Sequence, residues 1–173
     1  SQNPQGWFPW ICEQCRIEPG MEILEIGCGD GTLWKENLLK LPAHVHITLS
    51  DISEGMLRDA RRAVGAKDSR FSFEAFDCHR LPFEEHSLDL VIANHVLFYC
   101  EDIPQVCSEV QRVLKPDGRF LCSAYSSSHM AEVSRLVHEF DERIMLSADK
   151  LYEKFGLENG AGILKEYFAE TDW

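Results

Sequence analysis

Positive charge is scarce in this chain. Its 173 residues carry 17 Lys and Arg against 29 Asp and Glu, a formal net charge of −12 with a pI near 4.9. Such a surface repels nucleic acid and anionic membrane. The basic cluster Arg58-x-x-Arg61-Arg62 reads as a solvated helix face. Long apolar runs are also missing: no stretch reaches 18 residues, and no secretory leader is recognisable. A soluble, cytoplasmic protein is the expectation, with nucleic acid disfavoured as a partner and no membrane association. No internal repeat, low-complexity tract or linker appears, so one domain over 1–173 is expected. The seven cysteines are odd in number and scattered, which argues for reduced thiols over a disulfide framework. Cys12-x-x-Cys15 has no second Cys pair, and His44 and His46 lie a strand and a helix away. A structural zinc site needs four ligands at set spacing, so no metal is expected.

An apolar fraction of 45% is enough for a real core. The most informative stretch is Ile23–Trp34, Ile-Leu-Glu-Ile-Gly-Cys-Gly-Asp-Gly-Thr-Leu-Trp. It begins β-prone, breaks into Gly27, Gly29 and Gly31, and resumes at helical spacing with Leu33, Trp34, Leu38 and Leu39. That pattern predicts a strand over Met21–Ile26, a tight loop, and a helix over Thr32–Leu41 stopped by Pro42. Glycines allow the sharp turn and a close approach to a ligand, and the loop points at a helix N-terminus, which favours anionic groups. The dinucleotide fingerprint Gly-x-Gly-x-x-Gly is not met, because Thr32 stands where its last glycine would fall. Glu25 precedes the first glycine by two residues. A carboxylate there repels a pyrophosphate and attracts an ammonium, which suits S-adenosylmethionine better than NAD.

Further along, Val45–Ser50, Phe71–Phe76, Leu88–Ala93 and Arg119–Tyr125 read as strands, with Leu88–Ala93 buried on both faces. Asp51 follows the second strand, where an acidic side chain can accept from the cis hydroxyls of a ribose. Ser53 is the expected N-cap of a helix with Met56, Leu57, Ala60 and Val64 on its apolar face and Gly65 at its end. Glu101 and Asp102 suit the start of a helix carrying Val106, Val110, Val113 and Leu114. Lys115–Gly118 reads as a turn. Met130, Val133, Leu136, Val137 and Phe140 form a helical face; Ser147 is a candidate cap for a short helix with Leu151 and Phe155; Ile163, Leu164, Tyr167 and Phe168 form a last apolar face. Near the N-terminus, Trp7, Phe8 and Trp10 anchor a short helix expected to pack on the domain or cover the cofactor.

Glu25-x-Gly27-x-Gly29-x-Gly31 and the run Leu81-Pro-Phe followed by Ser87-Leu-Asp-Leu-Val resemble the class I S-adenosylmethionine-dependent methyltransferases, in the type 11 and ubiquinone/menaquinone-biosynthesis branch. Lys115-Pro-Asp-Gly118 departs mildly from that branch at Asp117. The resemblance implies a Rossmann-like, doubly wound, mostly parallel sheet of order 3-2-1-4-5. It also implies a closing antiparallel pair of which no trace is legible here, so the chain is expected to be a fragment. A helical cap over 1–20 and a helical part over 126–173 are expected to flank the sheet. The cofactor residues implied by motif and resemblance are Glu25, Gly27, Cys28, Gly29, Gly31, Asp51, Ile52, Met56, Asp77, Cys78 and Asn94. Among them, Asp77 would take the adenine amino group, the Cys78 N–H a ring nitrogen, and the Asn94 carbonyl would lie near the methionine ammonium. The expected cofactor is S-adenosylmethionine, leaving as S-adenosylhomocysteine, and the expected acceptor is a small molecule. His95 and His129 are candidate general bases, with loop bonding and helix capping as their alternatives. Tyr99 and Tyr125 are pocket walls or core. A non-catalytic cofactor-binding module and an NAD-dependent dehydrogenase are the competing readings.

Overall fold

A computed structural model describes residues 4–141, 143–144 and 151–172. Five strands form one parallel sheet: β1 Glu22–Ile26, β2 His46–Ser50, β3 Phe71–Glu74, β4 Leu88–Asn94 and β5 Leu114–Ser123. Their spatial order is β3-β2-β1-β4-β5, as expected. The helices are α1 Trp7–Gln14, α2 Thr32–Lys35, α3 Glu54–Val64, α4 Ile103–Val113, α5 Ala131–Phe140, α6 Leu151–Lys154 and α7 Gly160–Leu164.

Strand periodicity divides the core in two. Ile23, Ile47, Leu49, Leu90 and Ile92 face one side, against Cys15 beside α1, Trp34 on α2 and Leu57, Ala60 and Val64 on α3. Their neighbours Leu24, Ile26, Val91 and Ala93 face the other side, against Val106 and Val110 on α4, Phe155 and Leu164. Successive side chains on a strand point to opposite faces, so β4, covered on both sides, carries an unbroken apolar run, and Leu90–Ala93 is fully buried.

Several elements are shorter than their patterns. The expected helix over Thr32–Leu41 ends at Lys35 and is followed by a 3-10 turn over Leu38–Lys40. Asn37 breaks it: its buried side-chain amide donates to the carbonyls of Leu33 at 2.8 Å and Phe8 at 3.2 Å, a local competition that Asn offers to a helix. Leu39 is thereby fully exposed instead of facing the core. β3 stops at Glu74, short of Phe76. The Lys115–Gly118 turn is a bulge inside β5, because register jumps from Leu88–Leu114 to Leu90–Arg119. Lys115 pins it through its ammonium, 2.8 Å from both Asp89 oxygens.

The caps hold. The Met56 N–H donates to Ser53 Oγ at 3.3 Å, and the Gln105 N–H donates to Asp102 Oδ1 at 3.0 Å. Gly65 closes α3 at φ +94°. Helix α5 forms as expected, but its apolar face is not buried: Val133, Leu136 and Phe140 stay exposed. Ser147 lies outside the described residues. Among those described, no strand follows β5 and no helix is long and apolar enough to cross a membrane.

Candidate functional site

All five strands run the same way, so their carboxyl ends share one edge, where open α/β sheets take ligands. The glycine loop leaves β1 at this edge. Gly27, Gly29 and Gly31 all have positive φ, at +67°, +55° and +76°. They do different work. A Cβ on Gly27 would lie 2.5 Å from Val96 Cγ2, and one on Gly31 would lie 2.9 Å from the Ala60 Cα of α3. Those two permit close packing of protein on protein. A Cβ on Gly29 would meet nothing within 4 Å, so Gly29 alone opens the backbone toward free space.

The loop is tied to β2. The Cys28 N–H donates to the Ser50 carbonyl at 2.8 Å, and the Gly29 N–H donates to Asp51 Oδ2 at 3.0 Å. Asp51 Oδ1 accepts from the Ser53 N–H at 2.8 Å. A carboxylate has about four lone-pair positions, so both oxygens can still accept from a ligand. Ile52 and Met56 beside it are exposed, 82% and 45%. Met56, expected on the core face of α3, is therefore at the rim of this edge. The Cys28 side chain is buried, and burial pushes its thiol well above the ordinary range, so it contributes backbone and no nucleophile.

Glu25 sits beneath the loop, only 2% exposed, and Trp34 on α2 donates its indole N–H to Glu25 Oε2 at 2.5 Å. Burial raises its pKa to about 7, opposed by the Trp34 bond and helped by the nearby Asp51 charge. Trp34 was read from sequence only as core. Its partner role was missed because nothing in a periodic apolar pattern marks an indole that also donates.

Asp77 stands apart from this group, in the turn after β3. Its Oδ1 accepts from both the His79 N–H at 2.9 Å and His79 Nδ1 at 2.5 Å. Those two bonds lower its pKa, so it stays ionised. Among the described residues no bond falls on Oδ2. His79, which the sequence reading also missed, is raised by the Asp77 bond. Its Nε2 accepts from the Asp102 N–H at 3.2 Å, which favours the neutral tautomer with the proton on Nδ1.

Asn94 and His95 end β4. Ser123 on β5 donates its hydroxyl to Asn94 Oδ1 at 2.7 Å and accepts from the His95 N–H at 3.0 Å. His95 takes a left-handed φ of +58°, uncommon for a residue with a Cβ. Four rings stack face to face: Trp7 on His95 at 5.1 Å, His95 on Tyr125 at 4.5 Å, and Tyr125 on His129 at 4.2 Å. Among the described residues, Trp7 Nε1 and His95 Nδ1 are buried without a partner. Burial lowers the His95 pKa, assisted by His129. His129 is exposed and sits in the turn before α5, so it does not cap that helix. Tyr99 is exposed and outside the core, a correction to its expected packing. A separate cavity of about 700 Å³ is lined by Arg80, Phe83, Glu109 and Arg112 among others. None of the candidate cofactor residues lines it.

The sheet edge fits a nucleoside with a charged amino-acid tail: an open glycine, a tethered carboxylate with free lone pairs, a buried carboxyl below, and a second carboxylate further along. A methyltransferase-domain family model matches residues 24–122. The chain is similar to a demethylmenaquinone methyltransferase of Symbiobacterium thermophilum, 34% identical over 120 residues, covering 68% of this chain and 48% of that protein. It is also similar to a ubiquinone/menaquinone biosynthesis C-methyltransferase of Geotalea daltonii, 25% identical, covering 87% and 65%. The chain thus spans about half to two thirds of the length of these relatives. In fold it is similar to an S-adenosylmethionine-dependent methyltransferase from Aquifex aeolicus, with a TM-score of 0.71, 14% identity and coverage of 92% and 78%.

Proposed function

The chain belongs to the class I S-adenosylmethionine-dependent methyltransferases, and from that membership we propose that it transfers the methyl group of S-adenosylmethionine to a small-molecule acceptor by direct displacement. The observation that carries the site assignment is the bond from the open glycine, Gly29 N–H, to Asp51 Oδ2. It brings a backbone built for close approach and a carboxylate placed for ribose hydroxyls to one point on the sheet edge.

S-adenosylmethionine supplies, when bound, a methyl group already made electrophilic by its sulfonium. The protein's task is then to hold donor and acceptor in line, a contribution of up to about 7–11 kcal/mol in favourable cases. In our reading Asp51 holds the ribose, Ile52 and Met56 flank the base, and Asp77 and the Cys78 N–H read the adenine. The glycine loop and the Asn94 carbonyl line the methionine end, with Glu25 below as counter-charge. His95 is the better candidate for a base: its unpaired Nδ1 is kept neutral by burial and lies in the ring stack at the end of β4. Trp7 stacks on one face of its ring and Tyr125 on the other, which fixes the imidazole at the end of β4.

Titration with S-adenosylhomocysteine and with NAD tests the cofactor, and an acceptor screen tests turnover. Tight NAD binding without any response to S-adenosylhomocysteine would reverse the reading. Asp51→Ala is expected to weaken S-adenosylhomocysteine by about 1–3 kcal/mol, the scale of hydrogen bonds to a charged group. Because Asp51 also tethers the loop, the comparison includes an analogue without ribose hydroxyls. The loss should shrink for that analogue; an equal loss for both ligands removes Asp51 from the ribose role.

A further inference from the structure

Beside the proposed adenine end, two thiols are in contact: Cys78 Sγ lies 3.6 Å from Cys100 Sγ. Cys78 is in the turn after β3. Cys100 ends the 3-10 turn over Leu97–Tyr99 that follows β4. Strands β2 and β1 separate β3 from β4 in the sheet, so this contact joins loops from its two halves. Two hydrogen bonds already hold those loops in register. The Asp102 N–H donates to His79 Nε2, and the Gln105 side-chain amide donates to the His79 carbonyl, each at 3.2 Å. Neither cysteine is inside a helix or strand, so the loops can close by the roughly 1.6 Å that separates 3.6 Å from a disulfide bond length.

We propose that Cys78 and Cys100 form a modification site at which a peroxide converts the thiol pair to a disulfide, and that this bond weakens the cofactor site at its adenine end. The second clause rests on the assignment of Asp77 and the Cys78 N–H to adenine. The chemistry closes without another reactant. One thiolate attacks the O–O bond; its sulfur keeps one oxygen as a sulfenic acid, and the other leaves as hydroxide and takes a proton to become water. The second sulfur loses its proton and attacks the first. An S–S bond forms, the S–O bond breaks, and a second water departs. The two thiols lose two electrons and the peroxide gains them.

The pair is also singled out by its surroundings. All seven cysteines are free thiols, and burial makes others resist ionisation: it pushes Cys15 to about 12 and Cys107 to about 11. Cys100 shifts the other way, because the Cys78 S–H donates to its thiolate, and the same contact raises Cys78. Cys78 is half-buried, which leaves the pair open on one side. A disulfide would draw Cys78, with its backbone N–H and the adjoining Asp77, toward the end of β4.

The test uses the full chain, reduced and then treated with one equivalent of hydrogen peroxide. Free thiols are alkylated and the protein is digested without reductant. The expected product is a Cys78–Cys100 linked peptide pair that dithiothreitol reverses and that Cys100→Ser lacks. Links spread over other cysteines, or an over-oxidised Cys78 without a link, overturn the site. S-adenosylhomocysteine should bind the oxidised wild type roughly tenfold more weakly, the loss of about one hydrogen bond, and recover on reduction. Peroxide-treated Cys100→Ser should keep its affinity. Asp77→Ala separates the two readings. If it binds normally, the adenine assignment has failed. If it binds weakly while the oxidised wild type binds normally, only the coupling between disulfide and cofactor site is overturned.

Discussion

Glu25 is where single-residue chemistry departs furthest from ordinary solution behaviour. Its folded pKa of about 7 lies above the usual 4.5 because burial penalises its charge more than the Trp34 indole relieves it. An acid raised in the folded state binds its proton more tightly there than in the unfolded chain. Stability from this group is therefore complete below about 4.5 and falls as pH rises through the folded value. The full cost above pH 7 is about 3 kcal/mol, from the size of the shift. Glu25→Gln keeps an oxygen to accept the indole bond and removes the titration. Without cofactor, wild type should lose urea resistance between pH 5 and pH 7.5 relative to Glu25→Gln, and the variant should be the more stable at pH 7.5. His79, raised by its Asp77 bond, is present in both proteins and cancels. Parallel stability curves would show that Glu25 ionises normally. With cofactor the sign reverses: a ligand ammonium near Glu25 favours the carboxylate. S-adenosylhomocysteine should therefore bind wild type more weakly at pH 6 than at pH 8, with little change in Glu25→Gln.

The elements show which parts of the molecule a sequence can announce. Strand β4 was legible because both of its faces are covered, so its apolar run has no other explanation. The cap at Ser53 was legible because its bond is local, while Asp102 reads from sequence only as a charge suited to the start of α4 and is its N-cap in the structure. Helix α2 was not legible: Leu38 and Leu39 continue its apolar spacing, and what ends it is the Asn37 side chain, which bonds both the nearby Leu33 carbonyl and that of Phe8, 29 residues away. The glycine loop was half legible. Its spacing marks a tight loop, but only the fold reveals that Gly27 and Gly31 serve packing and Gly29 serves the opening. That division makes a prediction. Gly31→Ala must put a Cβ against the α3 backbone as well as strain φ, and should cost about 2–4 kcal/mol of stability. Gly29→Ala pays only the backbone term, about 1–2 kcal/mol, yet its methyl group points into the open space where we propose the cofactor lies. Urea melts should rank Gly31→Ala as the less stable, while S-adenosylhomocysteine titration should rank Gly29→Ala as the poorer binder among folded variants. Similar melts with equal binding would mean that both glycines face the same surroundings.

Across the whole molecule, one side chain ties the N-terminal helix to the edge strand of the sheet. Arg119, on β5, donates its guanidinium to the carbonyls of Gln14, Cys15 and Arg16, more than 100 residues earlier. Those carbonyls are the unpaired acceptors at the end of α1, so a cation there meets the negative end of the helix dipole as well. At the other end of α1, Trp7 stacks on His95. The N-terminal helix is thus clamped at one end by charge and at the other by aromatic contact. Arg119→Met keeps the apolar stem and removes the donors. It should cost about 1–2 kcal/mol, below the full value of charged hydrogen bonds because the site is half-exposed. The loss should be local before it is global. Amide exchange should accelerate first over 7–14, while β1 and β4 keep their protection. If exchange rises equally in β1 and β4, α1 is part of the cooperative core and cannot swing from His95 on its own.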